Sequence, residues 1–306
     1  MSSRTVPDAR RPPRAGRVAV VGRPNVGKST LLNRLVGSKI SITSRKPQTT
    51  RQRITGIVTR DHVQIEIVDT PGYQTEHGGT LNAAMNRSVA GGLHDVDVVV
   101  WVVEALHFDR RDEAVARLLS PDVPVIVAIS KCDKVKQRDQ LLPFIGEISR
   151  RRDFAAIVPI SAEKGEQIDR LVDAIEGLLP EGQHQHGADE ITTESERFLA
   201  AEIIREKLFR QLGDELPYSA MVEIETFKEE RGLRHIGASI LVDKAGQKGI
   251  VIGAGGSKLK AIASQARYDM EKLFGGKVFL EVWVRVKRGW SENASLLRRM
   301  GLDAER

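Results

Sequence analysis

The chain has 306 residues, 41% of them hydrophobic, and its 47 Lys and Arg against 41 Asp and Glu leave a formal net charge of +6 and a pI near 9.5. That length predicts two domains, and the basic balance predicts an acidic partner, either nucleic acid or an anionic membrane surface. A single cysteine, Cys132, excludes an intramolecular disulfide framework and fits a reducing compartment, and no apolar run reaches the ~18 residues of a membrane span.

In chain order, residues 1–15 carry Arg4, Arg10, Arg11 and Arg14 among three prolines and lack the apolar stretch of a secretory signal. They are expected to form a disordered basic arm on a cytoplasmic protein. From residue 16 to 180 short β-branched runs alternate with helical stretches: Val18–Val21, Ile54–Thr59, Val63–Val68, Val96–Val103, Val123–Ile129 and Ile157–Ile160. The runs 96–103 and 123–129 are apolar almost throughout, as strands covered on both faces are. The prediction is a doubly wound α/β domain with a mostly parallel sheet, its ligand at the carboxyl ends of the strands.

Directly after the first run stands Gly22-Arg23-Pro24-Asn25-Val26-Gly27-Lys28-Ser29, a complete phosphate-binding loop opening a helix near Lys28. Gly22 and Gly27 let the backbone pass close to phosphate, Val26, Gly27 and Thr30 fall within the same contact set, Lys28 reaches the β- and γ-phosphates, and Ser29 holds Mg²⁺. The loop alone leaves ATP and GTP open. Asp69-Thr70-Pro71-Gly72 ends the 63–68 run, with Asp69 placed to hold Mg²⁺ and the Gly72 N–H to meet the γ-phosphate. Ser130-Lys131-Cys132-Asp133 ends the 123–129 run, and a carboxylate there accepts both N1–H and N2–H of guanine, a pair that adenine lacks. Ser161-Ala162 ends the next run and offers a backbone N–H to guanine O6. Four strand-end motifs in this order point to guanine.

Residues 181–193 contain helix breakers and polar residues and read as a linker, and two histidines in it, His184 and His186, are too isolated for a metal site. Residues 194–290 then predict α-β-β-α-α-β, a compact α+β domain: a helix from Ser195 to Leu212, strands at Ser219–Thr226 and His235–Val242, a glycine-rich turn that begins at Gly249 and runs through Gly253-Ala254-Gly255-Gly256 into a helix to about Phe274, and a strand at Val278–Val286. Between Lys244 and Arg288 lie ten Lys or Arg against three Asp or Glu. Ile252 to Gly256 with Lys258 and Lys260 would hold a sugar–phosphate backbone against the turn, with Ile250, Val251, Ile252 and Ile262 lining a groove for bases. Arg285, Lys287 and Arg288 would add phosphate contacts, and Trp283 is expected in the core. Residues 291–306 read as a tail.

The ordered G-domain motifs resemble the translation-factor-related GTPases. The segment from Gly22 to Arg53, with Ile40-Ser41-Ile42-Thr43-Ser44 and Pro47-Gln48-Thr49-Thr50-Arg51, resembles the Era family in particular. The 253–256 turn with its basic helix start resembles the G-x-x-G turn of KH RNA-binding domains. The resemblance covers about residues 16 to 290 and implies a GTP- and Mg²⁺-dependent GTPase cycling between GTP and GDP. The implied partner is small-subunit ribosomal RNA near its 3′ end, and the implied role is in small-subunit assembly. Thr50, with Thr49 as the other choice, is then the switch residue contacting Mg²⁺ and the γ-phosphate, beside Lys28 and Gly72. Asn25 matches a loop asparagine that helps coordinate K⁺ in related GTPases, and residues 40–53 with 72–91 would form the nucleotide-sensitive loops. Two positions depart from the pattern: Ser130 replaces the usual Asn of the base motif, and Tyr73 stands where many small GTPases carry a water-orienting Gln. Slow intrinsic hydrolysis follows. A nucleotide-stabilised RNA binder with negligible hydrolysis stays open as the alternative, as does peripheral association with the inner face of the cell membrane; a monomer is expected.

Overall fold

A computed structural model describes residues 11–44, 50–73, 80–213 and 220–290. The expected tail, most of the arm, Thr49 and Ser219 lie outside the described residues, as do 45–49 and 74–79 of the nucleotide-sensitive loops.

The first sheet has six strands: β1 (Arg14–Val21), β2 (Ile54–Arg60), β3 (Val63–Asp69), β4 (Val98–Glu104), β5 (Val125–Ser130) and β6 (Ala156–Pro159). Their spatial order is β2-β3-β1-β4-β5-β6, and only β2 runs antiparallel to its neighbour. Val98 to Val103 are all buried, as strands sandwiched between helices require. The flanking helices are α1 (Lys28–Val36), α2 (Thr80–Gly92), α3 (Arg110–Ala116), α4 (Leu141–Ser149) and α5 (Ile168–Glu176). On α5 the buried side chains are Ile168, Leu171, Val172 and Ile175, the 3–4 spacing of one apolar stripe. β1 sits between β3 and β4, so the chain crosses over at its carboxyl end. In open α/β sheets ligands bind at that crevice, and here it opens into the 22–28 loop.

The second unit comprises α6 (Glu196–Gln211), β7 (Ala220–Glu230), β8 (Leu233–Val242), α7 (Ala245–Ile252), α8 (Ser257–Phe274) and β9 (Lys277–Val286). Its sheet is ordered β7-β8-β9, antiparallel then parallel, and its helices cover one face. α7 forms in spite of Gly246 and Gly249, poor helix formers. Gln247 Oε1 accepts from the backbone N–H of Asp243 and Lys244 at 3.0 and 2.9 Å, and Val251 is fully buried.

Two stretches are more ordered than composition suggested. β1 begins at Arg14, inside the expected arm, and Gly182 N–H donates to Pro13 O at 2.9 Å. The linker is a fixed strap. Ile57 N–H donates to Ile191 O at 2.9 Å, and the buried Gln64 amide accepts from Gln185 N–H at 2.7 Å and donates to His186 O at 2.9 Å. His186 itself reaches Glu66 at 2.8 Å and Glu190 at 3.2 Å. Among the described residues no helix is long and apolar enough to cross a membrane.

Candidate functional site

A cavity of about 850 Å³ opens at the carboxyl ends of β1, β3 and β5. Its lining brings together Asn25, Val26, Gly27, Lys28, Ser29, Thr30, Thr50, Gly72, Ser130, Lys131, Asp133 and Ala162, from separate stretches of sequence. Gly22, Asp69 and Ser161 are not in the lining but hydrogen-bond to Lys28, Ser29 and Asp133 in it. Lys28 Nζ donates to the carbonyls of Gly22 and Arg23, both at 3.0 Å, and curls back over its own loop. Burial is the main reason its pKa falls to about 8, against the pull of Asp69.

The hydroxyls of Ser29, Ser41 and Thr50 converge on the buried carboxylate of Asp69. Ser29 Oγ is 2.9 Å and Ser41 Oγ 3.1 Å from Asp69 Oδ2, and Ser29 Oγ lies 2.8 Å from Thr50 Oγ1. Asp69 Oδ1 is buried and has no hydrogen-bond partner, and burial raises the pKa of this carboxyl. Hard oxygen donors around an unsatisfied buried carboxylate fit Mg²⁺, which prefers such ligands and retains several waters. Ser41 is a member of this set that sequence reasoning missed. Asn33 Oδ1 accepts from the N–H of Ile40 and Ser41 at 3.0 and 2.9 Å and turns the chain toward Asp69, but nothing local in the sequence signals that contact.

Gly72 has a specific steric reason. A Cβ placed on it would lie 2.8 Å from the Pro24 backbone, so only glycine lets the 69–72 segment close against the phosphate loop. Outside the lining, Arg23 fixes the loop from behind, its guanidinium 3.2 Å from Glu104 and 3.1 Å from the fully buried Asp112.

At the base end Asp133 Oδ1 accepts from Ser161 Oγ at 2.7 Å, which orients the carboxylate. Ser130 does more than replace an amide: its hydroxyl lies 2.6 Å from Val26 O and 3.2 Å from Val103 O, tying the end of β5 to the phosphate loop. Burial raises the pKa of the Cys132 thiol, opposite to what a reactive cysteine needs.

In the second unit, Gly253 ends α7 with φ 72° and ψ 174°, a conformation open only to glycine, and Gly255 and Gly256 follow at φ 56° and 78°. The turn exposes Ala254 and Gly255 at the amino end of α8, whose first turn holds no acid and exposes Lys258 and Lys260. Backbone donors and two ammonium groups thus face solvent together, an anion site without base selectivity of its own.

Several expected contacts fall elsewhere. Val251 and Ile262 are fully buried core and line no groove, whereas Ile250 is 48% exposed. Strand alternation turns Arg285 to the sheet face away from the helices, where it pairs with Glu225 at 2.9 Å. Trp283 shares that outer face and is 43% exposed, contrary to the core expectation; Phe279, on the same face, is 49% exposed. Lys287 and Arg288 are exposed beyond the end of β9. Trp290 is buried, with the Arg51 guanidinium 5.7 Å from its ring centroid.

Comparison with known proteins agrees with this division. A 50S ribosome-binding GTPase family model matches residues 17–131, and a KH domain model matches residues 215–291. GTPase Era of Chromobacterium violaceum is 53% identical over 288 residues, covering 94% of this chain and 97% of that protein. The Neisseria meningitidis GTPase Era is 52% identical over 291 residues, covering 94% and 95%. A single-substitution variant of Aquifex aeolicus Era bound to GDP·AlF4⁻ superposes with TM-score 0.91 at 38% identity, over 95% of this chain and 99% of that one. An Era structure holding MgGDPNP and nucleotides 1506–1542 of 16S ribosomal RNA gives the same TM-score, identity and coverage. With half its residues shared across almost the whole length, and both domains aligned in one superposition, the chain belongs to the Era family of GTPases.

Proposed function

We propose that this protein is a GTP-hydrolysing switch whose first domain binds guanine nucleotide with Mg²⁺ and whose KH domain binds small-subunit ribosomal RNA near its 3′ end during assembly of that subunit. The observation that carries this reading is the convergence of four strand-end motifs on one cavity, with Asp133 held for guanine and three hydroxyls gathered on Asp69. The relatives support it: they are named GTPase Era, and one Era structure holds MgGDPNP together with a 16S ribosomal RNA fragment.

In this reading Lys28 leaves the Gly22 and Arg23 carbonyls for the β- and γ-phosphate oxygens, which cost less to neutralise with a cation already desolvated. Ser29 and Thr50 provide metal ligands with Asp69 behind them, and bound Mg²⁺ supplies charge neutralisation on the phosphates. The Gly72 N–H meets the γ-phosphate. Tyr73 offers no amide to orient water, so turnover is slow and depends on RNA or the ribosome; Asn25, at φ 64° in the cavity wall, is the residue for a K⁺ contribution. The single cysteine supports a cytoplasmic protein, and the net charge of +6 makes an anionic membrane face a competing polyanion.

Multiple-turnover phosphate release with Mg²⁺, with and without a 16S 3′-end RNA, tests the enzyme reading. Unmodified protein is expected to turn over and to respond to RNA, while Lys28→Ala stays at background. Background release from the unmodified protein in every condition would instead favour the nucleotide-stabilised RNA binder. Ultraviolet crosslinking of an Ala254→Asp/Gly255→Asp variant tests the RNA half: a ribosomal site crosslinked by the unmodified protein should disappear, because added carboxylates repel phosphate at an exposed turn.

A further inference from the structure

Part of the nucleotide cavity's lining comes from the other domain. Phe209 and Arg210, in the last turn of α6, line it together with Ile42, Thr43 and Ser44 of the segment after α1. Phe209 is fully buried, while the Arg210 side chain is 48% exposed. Its guanidinium is 2.6 Å from Glu206 Oε1, one turn earlier, and 3.5 Å from the carbonyl and hydroxyl oxygens of Thr43.

The holder is itself firmly placed. Glu206 is 1% exposed, and its other oxygen is 2.5 Å from Lys39 Nζ of the first domain. Lys39 and Lys207 both reach Asp269 on α8. A buried carboxylate held by Lys39 therefore keeps a planar cation in the lining of the cavity. Guanidinium carries five N–H donors in a rigid fork that suits phosphate oxygens, and the Glu206 and Thr43 contacts all fall on one of its nitrogens, Nη2.

We propose that Arg210 is a nucleotide-contacting residue supplied in cis by the RNA-binding domain: it contacts the anionic part of the bound guanine nucleotide, so nucleotide affinity depends on how α6 is seated. The proposal rests on reading the cavity as the guanine-nucleotide site. It extends to the RNA side, because Asp269 lies about 18 Å along the same rigid helix from Ser257, which follows the glycine turn.

The test uses the full chain with fluorescent GDP and a non-hydrolysable GTP analogue, measuring Kd and dissociation rate across a salt series. Arg210→Ala is expected to raise Kd about tenfold or more, mainly through faster dissociation, as loss of a charge-assisted hydrogen bond does. Arg210→Lys should recover only part of this. The gap from the unmodified protein should narrow as salt rises, which a purely structural effect would not do. Nucleotide-free affinity for a single-stranded ribosomal RNA probe should stay the same. Kd values within twofold of the unmodified protein for Arg210→Ala and Arg210→Lys, while Lys28→Ala abolishes binding, overturn the role of Arg210 alone. Undiminished binding by Lys28→Ala removes the cavity reading and this proposal with it. Should Arg210→Ala fail to fold by circular dichroism, the comparison is made with Arg210→Lys and Arg210→Gln, and Kd values within twofold for both overturn the proposal.

Discussion

In the proposed function a single side chain, Asp133, decides the ligand. Its carboxylate presents two acceptors, one oriented by the Ser161 hydroxyl at 2.7 Å, to a base whose edge must present two donors. Changing Asp133 to Asn replaces one acceptor with a donor. Xanthine has a carbonyl where guanine has its amino group, so Asp133→Asn is expected to weaken GTP at least a hundredfold and to gain XTP, as competition binding with both nucleotides will show. Nearby, Ser130, which departs from the usual Asn of the base motif, donates its hydroxyl to Val26 O at 2.6 Å and so ties β5 to the 22–28 loop. The residue type was legible from the chain; its partner, 104 residues away, was not. Gly72 was legible as a residue without an obstructing side chain, while the surface it clears, the Pro24 backbone, emerges only when β1 and β3 pair.

Among elements, α3 is set by charge. Asp109 caps its first turn and Asp112 returns the bond to the Asp109 N–H at 3.1 Å, a reciprocal box, while Asp112 also faces Arg23 of the phosphate loop. Burial raises the pKa of Asp112, and its Oδ1 has no hydrogen-bond partner, so the carboxylate is itself poorly solvated. Removing it still strands the mostly buried Arg23 guanidinium, whose remaining ion pair among the described residues is with Glu104. Asp112→Ala is therefore expected to lower stability by about 3 kcal/mol in chemical denaturation, the low end for breaking a buried pair, and to weaken nucleotide binding through the loop. Strands with continuous apolar runs and the α-β-β-α-α-β order were readable because burial on both faces, or alternate burial, writes itself into composition. α7 was less so: its two glycines argue for a turn, and packing of Val251 overrides them. Trp283 failed differently. Alternation in β9 separates two faces but does not say which one the helices cover, and they cover the face of Val278 and Val284.

At the scale of the molecule, the strap between the domains carries a titratable clasp. Hydrogen bonding to Glu66, with the charges of Glu66 and Glu190 adding to it, raises the pKa of His186, while Arg17 sits 3.1 Å from Glu66 on the far side. A raised folded-state pKa means that the imidazolium's contribution is complete below its unfolded value of about 6.5 and disappears as pH climbs through the higher folded value. Thermal stability should thus fall as pH rises through that window, and His186→Gln should flatten the slope without changing the fold. The strap's order came from side-chain to backbone bonds across 121 and 122 residues, Gln64 to Gln185 and His186, which polar composition alone cannot reveal. Further contacts join the two halves: Leu199 of α6 lies in the first core, and Leu273 and Phe274 of α8 pack against both cores.

Thr50 and Arg51 are consecutive. The first turns its hydroxyl onto Ser29 and Asp69; the second, buried, sends its guanidinium to Ala220 O at 3.1 Å, at the start of β7, and lies beside Trp290. One trans peptide, about 3.8 Å between Cα atoms, spans the boundary between the chemistry of one domain and the framework of the other. Adjacent residues share one backbone, so a shift of the chain at 50–51 moves the Thr50 hydroxyl and the root of the Arg51 anchor together. News of what Thr50 touches thus needs to travel no further than the neighbouring residue to reach the second sheet.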